Sequence, residues 1–219
     1  SRAELFAALN DAEHEYWQGS AEARRHIREL LLFRVRQPTP LLFAAHERLD
    51  FADFVRVLKL VSVLSFRYTV VSGLNTNALE PVYHQAANAL LTGQIHRPSE
   101  VFQRLQGIYV EDSSFISDFA RLDIATAGQR KRLVKYVLCQ LEADATGVHR
   151  DYETDAGTIE HILPENPLGD WSESFDAQRQ ERFVYRLGNL TLLEASLNRQ
   201  VGNQEWTDKV AVYAQSQYG

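Results

Sequence analysis

The sequence predicts a mainly α-helical protein that ends in a small unit of two short strands and helices. Apolar side chains recur every three or four residues through most of the first 145 positions, the spacing of helices with one buried face. Residues 143–157 are polar and rich in Gly and Asp, which marks a linker or a domain edge. Two short extended apolar runs follow. We therefore expect a helical domain over residues 1–145 and a second unit over residues 146–219.

The N-terminal part of the sequence predicts helices separated by clear breaks. Gly19-Ser20 supplies a stop and then an N-cap for a helix over 21–36, which Pro38 and Pro40 close. Asp50 is placed to cap the next helix, whose apolar residues share one face. Further helices are expected over 79–91, from Ser99, over 115–122 and over 129–142.

Strand-prone residues are concentrated in three short runs. The first, Phe66–Val71, lies among helices whose packing can override its β preference. The other two, Thr158–Leu163 and Leu190–Leu193, are separated by a proline-broken loop. Helical stretches near 194–200 and from 205 onward complete the chain. The order of this part is therefore strand, loop, strand and helix.

Length and composition exclude several classes of protein. With 219 residues, 45% of them apolar and 11% aromatic, the chain can bury a core and does not have a disordered composition. Its apolar stretches are shorter than the ~18–20 residues of a membrane helix, and no signal peptide opens it. We therefore expect no membrane segment and a cytoplasmic location. The chain has no methionine and begins at Ser1, so we expect it to be a piece of a longer protein.

Cysteine and histidine contribute little to the candidate chemistry outside one site. The single cysteine, Cys139, excludes a disulfide framework and a multi-Cys zinc site. Its apolar neighbours on a predicted helix favour a buried, inert thiol. Six histidines lack metal-ligand spacing and are interpreted as structural or surface residues: His14, His26, His46, His84, His96 and His149.

The net charge of −6 is unevenly distributed. Residues 151–219 contain five Lys/Arg against twelve Asp/Glu, whereas the rest of the chain is nearly balanced. This acidic surplus argues against a sequence-indifferent electrostatic nucleic-acid binder, which must neutralise many phosphates. Two basic clusters, Arg24-Arg25-Arg28 and Arg130-Lys131-Arg132-Lys135, could follow a DNA backbone, although a solvated helix face is the alternative for each.

The densest polar constellation combines Glu160-His161 with Asn189 and Asn198. A histidine beside a carboxylate at a strand end is a candidate general base, and Glu160 and Asn198 offer hard oxygens that suit Mg²⁺ or Mn²⁺. Spacing alone also fits a histidine satisfied at a strand edge and two asparagines in turns. Neighbouring strand residues face opposite sides, so a shared site requires the strand to end early, as Pro164 suggests.

The same residues lie in strings that resemble a known family. The C-terminal HNH-like domain of GmrSD-type restriction enzymes, a group that includes the phosphorothioate-sensing nicking effectors of the Ssp defence system, is similar to this chain over about 158–216. The resemblance is looser over about 50–145. It is carried by Ile159-Glu160-His161-Ile162-Leu163-Pro164, Leu187-Gly188-Asn189-Leu190-Thr191-Leu192-Leu193, Leu197-Asn198, Asn203, Lys209, Tyr213 and Ser216.

The resemblance implies a ββα-metal fold with one divalent ion, Mg²⁺ or Mn²⁺. It implies that His161 is the general base, that Asn189 orients the loop of that histidine, and that Glu160 and Asn198 ligate the metal. Phosphate or DNA contacts are expected from a basic residue of the same unit, with a solvated helix face as the alternative for each. The candidates are Lys209, Arg186 and Arg199.

The function implied is that of a metal-dependent endonuclease or nickase acting on double-stranded DNA, the effector part of a modification-sensing anti-phage restriction protein. In the family this part follows an N-terminal ParB-like NTPase sensor domain, whose motifs are absent here. The alternative is a catalytically silent helical module that docks the sensor or the DNA. Metal-dependent cleavage distinguishes the two hypotheses.

Overall fold

The computed structural model describes residues 1–167 and 169–219 and divides the chain into two compact units. These are Ser1–Phe119 and Ala120–Gly219. The division therefore falls before the helix over 130–146. Within the described residues, no helix combines the length and the apolar character needed to cross a membrane.

The first unit is built from helices, as the sequence predicts. The helices are α1 (Arg2–Leu9), α2 (Ala21–Phe33), α3 (Thr39–Arg48), α4 (Phe51–Ser65), α5 (Leu79–Leu91), α6 (Pro98–Leu105) and α7 (Asp112–Phe119). Ser20 caps α2 by accepting from Ala23 N, and Asp50 caps α4 by accepting from Asp53 N at 2.8 Å. Helix α3 packs on α5, and α2 packs on α4, around buried aromatic and aliphatic side chains.

Helix packing overrides the β preference of Phe66–Val71, the outcome that the sequence analysis allows. The segment forms a π-helix that continues α4. Pro40 does more than end the preceding helix, since it lies in the first turn of α3. A proline there loses no hydrogen bond, because the first amides of a helix have no intrahelical acceptor.

The second unit contains a two-stranded antiparallel hairpin followed by helices, which confirms the predicted fold class. The elements are α8 (Arg130–Thr146), β1 (Thr158–His161), α9 (Asp170–Ser174), α10 (Ala177–Phe183), β2 (Leu190–Leu193), α11 (Ala195–Val201) and α12 (Trp206–Tyr213). The strands pair from Thr158 opposite Leu193 to His161 opposite Leu190. Helix α8 packs on both strands, and α11 contacts β1 and α12.

A shorter strand-like pairing lies upstream of β2. Asp123 and Arg186 form an isolated antiparallel bridge. Ile124 N donates to Tyr185 O at 3.0 Å, and Leu187 N donates to the carbonyl of residue 122 at 2.8 Å. This pairing, called here the 122–124/185–187 ladder, joins the segment before α8 to the segment that leads into β2.

Candidate active site

Asn189 ties together the loop that follows His161. Its buried side chain accepts a hydrogen bond from Leu163 N through Oδ1 at 2.7 Å. Its Nδ2 donates to the carbonyl oxygens of Leu163 and Val184, both at 3.0 Å. The Asn189 carbonyl also accepts from Ile162 N at 2.9 Å. Three of these four bonds fix the backbone immediately after the histidine, and the fourth joins it to Val184.

His161 is the last residue of β1, and only 14% of its side chain is exposed. Burial lowers the pKa of His161 below its ordinary value, and the nearby carboxylates of Glu165 and Glu160 offset part of that effect. The imidazole is therefore neutral at physiological pH. A neutral imidazole keeps the lone pair that a general base requires.

The Nε2 atom of His161 is surrounded by oxygens. Thr126 Oγ1 lies at 3.3 Å and Glu165 Oε1 at 3.8 Å. The Tyr185 hydroxyl donates to the same carboxylate oxygen at 3.1 Å, and its ring meets the imidazole edge to face. An ionised carboxylate only accepts, so the charge of Glu165 favours the tautomer with the proton on Nε2 and the lone pair on Nδ1.

Glu160 is held in a buried ion pair. Its Oε1 accepts from Lys209 Nζ at 2.6 Å and from the Tyr213 hydroxyl at 2.8 Å. Lys209 is completely buried, and its Nζ also donates to the His161 carbonyl at 2.8 Å. In this arrangement the Lys209 ammonium is enclosed and bonds to β1, so it is not free to make the phosphate contact expected of it.

A cleft of about 180 Å³ opens beside the end of β1. Asn198 reaches it from α11 and donates through Nδ2 to Ile159 O at 3.0 Å. Glu160 and His161 both line it, although successive strand residues face opposite sides, because the strand ends at the histidine. Its polar lining consists of Glu160, His161, Glu165, Asn166, Asn198 and Asn203.

The donor set of this cleft fits a hard divalent cation. Carboxylate and amide oxygens are the ligands that Mg²⁺ and Mn²⁺ prefer. Across residues 1–167 and 169–219, Glu160 Oε2 and Asn198 Oδ1 have no hydrogen-bond partner. The same residues contain no group of three or more His, Cys, Asp and Glu arranged to hold a metal. A cation here would therefore need amide and water oxygens in addition to carboxylate.

The two candidate arginines differ in their freedom. Arg186 belongs to the 122–124/185–187 ladder, and its Nε lies 3.0 Å from Asp123 Oδ1, with 20% of its side chain exposed. Arg199 lies on the exposed surface of α11 and makes no ion pair with any residue that the structure describes. Of the two, Arg199 is the one free to meet a phosphate.

Sequence reasoning missed three side chains around the imidazole. Glu165 follows His161 by four residues and comes directly after the first family string, so its position along the chain was a usable signal. Tyr185 lies just before the second family string. Thr126 precedes the histidine by 35 residues and carries no motif, so the sequence offered no signal for it.

Comparison with known proteins identifies the family. No curated protein matches the chain significantly. The family model described as GmrSD restriction endonucleases, C-terminal domain, matches residues 109–219, just over half of the chain. The match includes every residue of the cleft and also Thr126, and the family implies a part in a nuclease that restricts DNA. The chain therefore belongs to the family of GmrSD restriction endonuclease C-terminal domains.

Proposed function

We propose that the second unit is a metal-dependent DNA endonuclease or nickase, the effector part of a modification-sensing anti-phage restriction protein. The observation that carries this proposal is the largely buried His161 imidazole beside an oxygen-rich cleft. Asn189 supports it by fixing the loop that follows that histidine. As part of the same proposal, the chain is related to the phosphorothioate-sensing nicking effectors.

The reaction follows from where charge and protons must go. A water molecule attacks the phosphorus of a DNA phosphodiester, and His161 takes its proton as the new P–O bond forms. The bond from phosphorus to the 3′ oxygen then breaks, and solvent protonates the leaving oxygen. Glu160 and Asn198 would hold Mg²⁺ or Mn²⁺, which when bound stabilises negative charge on the phosphoryl and leaving oxygens.

DNA binding in this proposal does not rest on the cleft alone. The second unit is acidic, which opposes close approach of a phosphate backbone. Arg199 offers an exposed cation on the helix that also carries Asn198. We propose that the remaining attraction comes from the basic clusters and from an N-terminal ParB-like NTPase sensor domain of the larger protein.

Cleavage of supercoiled plasmid tests the proposal. We expect nicked or linear DNA with Mg²⁺ or Mn²⁺, no product with a chelator, and no product from His161→Asn at an unchanged melting temperature. His149→Asn, an exposed histidine in the same unit, is the matched control and should retain full activity. Normal cleavage by folded His161→Asn would overturn the catalytic assignment.

Calorimetry separates the two candidate functions if no cleavage is seen. Wild-type protein that binds Mn²⁺, with at least tenfold weaker binding by Asn198→Ala, would support a nuclease that needs its missing sensor domain. Absence of Mn²⁺ binding would favour the catalytically silent docking module instead.

A further inference from the structure

We infer that Thr126, Glu165 and Tyr185 are positioning residues that hold the imidazole of His161 in one orientation. The inference deepens the proposed function and rests on His161 being its base. None of the three residues belongs to the expected base, loop-tying or metal positions. Each contacts the imidazole or the carboxylate beside it.

The 122–124/185–187 ladder brings Thr126 and Tyr185 to the imidazole of His161. The 122–124/185–187 ladder runs antiparallel, with Tyr185 in one segment and Thr126 two residues beyond the other. Residues from both segments of one short ladder thereby reach the same ring. Thr126 places its hydroxyl at Nε2, and Tyr185 places its ring edge to face with the imidazole at a centroid distance of 5.9 Å.

Two hydrogen bonds, one to its carboxylate and one to its backbone carbonyl, hold Glu165 in place. Its carboxylate accepts from the Tyr185 hydroxyl at 3.1 Å. Its backbone carbonyl accepts from Gln180 Nε2 at 2.9 Å, which anchors the loop to α10. The fixed carboxylate lies 3.8 Å from His161 Nε2, where its charge favours a bound proton on that nitrogen.

These contacts favour one tautomer and one orientation of the His161 ring. The Glu165 carboxylate only accepts, so its charge favours the tautomer with the proton on Nε2, and in that tautomer the ring donates to Thr126 Oγ1. Rotation of the ring by half a turn about the Cβ–Cγ bond would put Cε1 in the place of Nε2 and lose both interactions. The three residues therefore keep the Nδ1 lone pair available in a constant direction, which proton transfer requires.

The test combines cleavage kinetics with nitrogen NMR of the full 219-residue chain. The variants are Thr126→Val, Glu165→Gln and Tyr185→Phe, each close to the original side chain in volume. We expect Thr126→Val to lower kcat by about 10- to 100-fold with KM changed less than about threefold. Thr126→Ser, which restores the hydroxyl, should recover most of the lost rate. Thr207→Val is the matched control, because Thr207 is exposed on α12 and its hydroxyl makes no hydrogen bond among the described residues.

The NMR measurement gives a readout that a purely structural role would not change. Imidazole ¹⁵N shifts of neutral His161, assigned by comparison with His161→Asn, should show the Nε2–H tautomer in wild type. They should show a mixture of tautomers in Thr126→Val and in Glu165→Gln. Unchanged shifts and an unchanged kcat in all three variants would overturn the inference.

The same pair of measurements distinguishes the inference from the function on which it rests. If wild-type protein does not cleave DNA with any divalent cation, the proposed function fails while the tautomer shift can still be observed. If wild type cleaves and the tautomer does not respond to Thr126→Val, the inference fails and the nuclease assignment stands.

Discussion

Lys209 Nζ lies 2.6 Å from Glu160 Oε1, with both side chains almost entirely buried. The same ammonium donates to the His161 carbonyl, so α12 is attached to the last two residues of β1. One buried cation thus connects the C-terminal helix to the strand end that carries the proposed base.

Replacing that cation should destabilise the second unit strongly. Lys209→Met leaves the Glu160 carboxylate buried without its charge partner, a change that costs about 3–5 kcal/mol. Urea unfolding followed by circular dichroism measures the loss. Lys131→Met, an exposed lysine of the same unit, should change stability by less than about 0.5 kcal/mol.

Removing both charges should recover part of that loss. The double variant Glu160→Gln/Lys209→Met contains no unpaired charge, and we expect it to be more stable than Lys209→Met alone. Additive losses in the double-mutant cycle would show that the two side chains do not interact energetically.

Removing the Asn189 amide should disorder the catalytic loop before it unfolds the unit. Asn189→Ala leaves the Leu163 N–H and two carbonyl oxygens buried without their hydrogen-bond partners. The unsatisfied N–H alone lowers the free energy of unfolding by about 1–3 kcal/mol. We expect cleavage to fall at least tenfold at temperatures where the protein remains folded. Gln178→Ala on the exposed face of α10 is the control, and a comparable loss there would contradict a specific role for Asn189.

The lowered pKa of His161 predicts a defined pH dependence of stability in metal-free protein. On acidification the unfolded chain, with the ordinary histidine pKa of about 6.5, takes a proton before the folded chain does. Stability is therefore fully present above that pH and declines as the pH falls below it. Urea unfolding between neutral pH and pH 5 in chelator should show a shallower decline for His161→Asn than for wild type. An identical decline in both proteins would contradict the shifted pKa.

The thiol of Cys139 should be inert in the folded protein. It is 1% exposed on α8, and burial, with a contribution from the charge of Asp155, raises its pKa to about 11. We expect negligible reaction with a thiol reagent at pH 8 and one equivalent of reaction in denaturant. Rapid labelling of native protein would contradict the buried position.

The parts of the site that the sequence predicted are those in which cause and effect are close along the chain. Pro164 ends a strand at His161, and Asn189 lies next to the strand that pairs with it, so short strings were sufficient. Capping by Ser20 and Asp50 was predictable for the same reason, because each cap acts within three residues.

The parts that it did not predict depend on partners far along the chain. Lys209 was expected at the surface, where lysines normally lie, but Glu160 lies 49 residues earlier and supplies the charge that permits burial. Thr126 belongs to the site only because the 122–124/185–187 ladder forms.

The 122–124/185–187 ladder also determines where this unit can be exchanged between genes. A crossover at residue 146, just before the two strands, would deliver β1 and β2 with a foreign partner for Tyr185 and without Thr126 and α8. A crossover before Ala120 would transfer the ladder, the supporting helix and the cleft together. Of these two crossovers, only the earlier one therefore keeps together all the residues that form the cleft and surround His161.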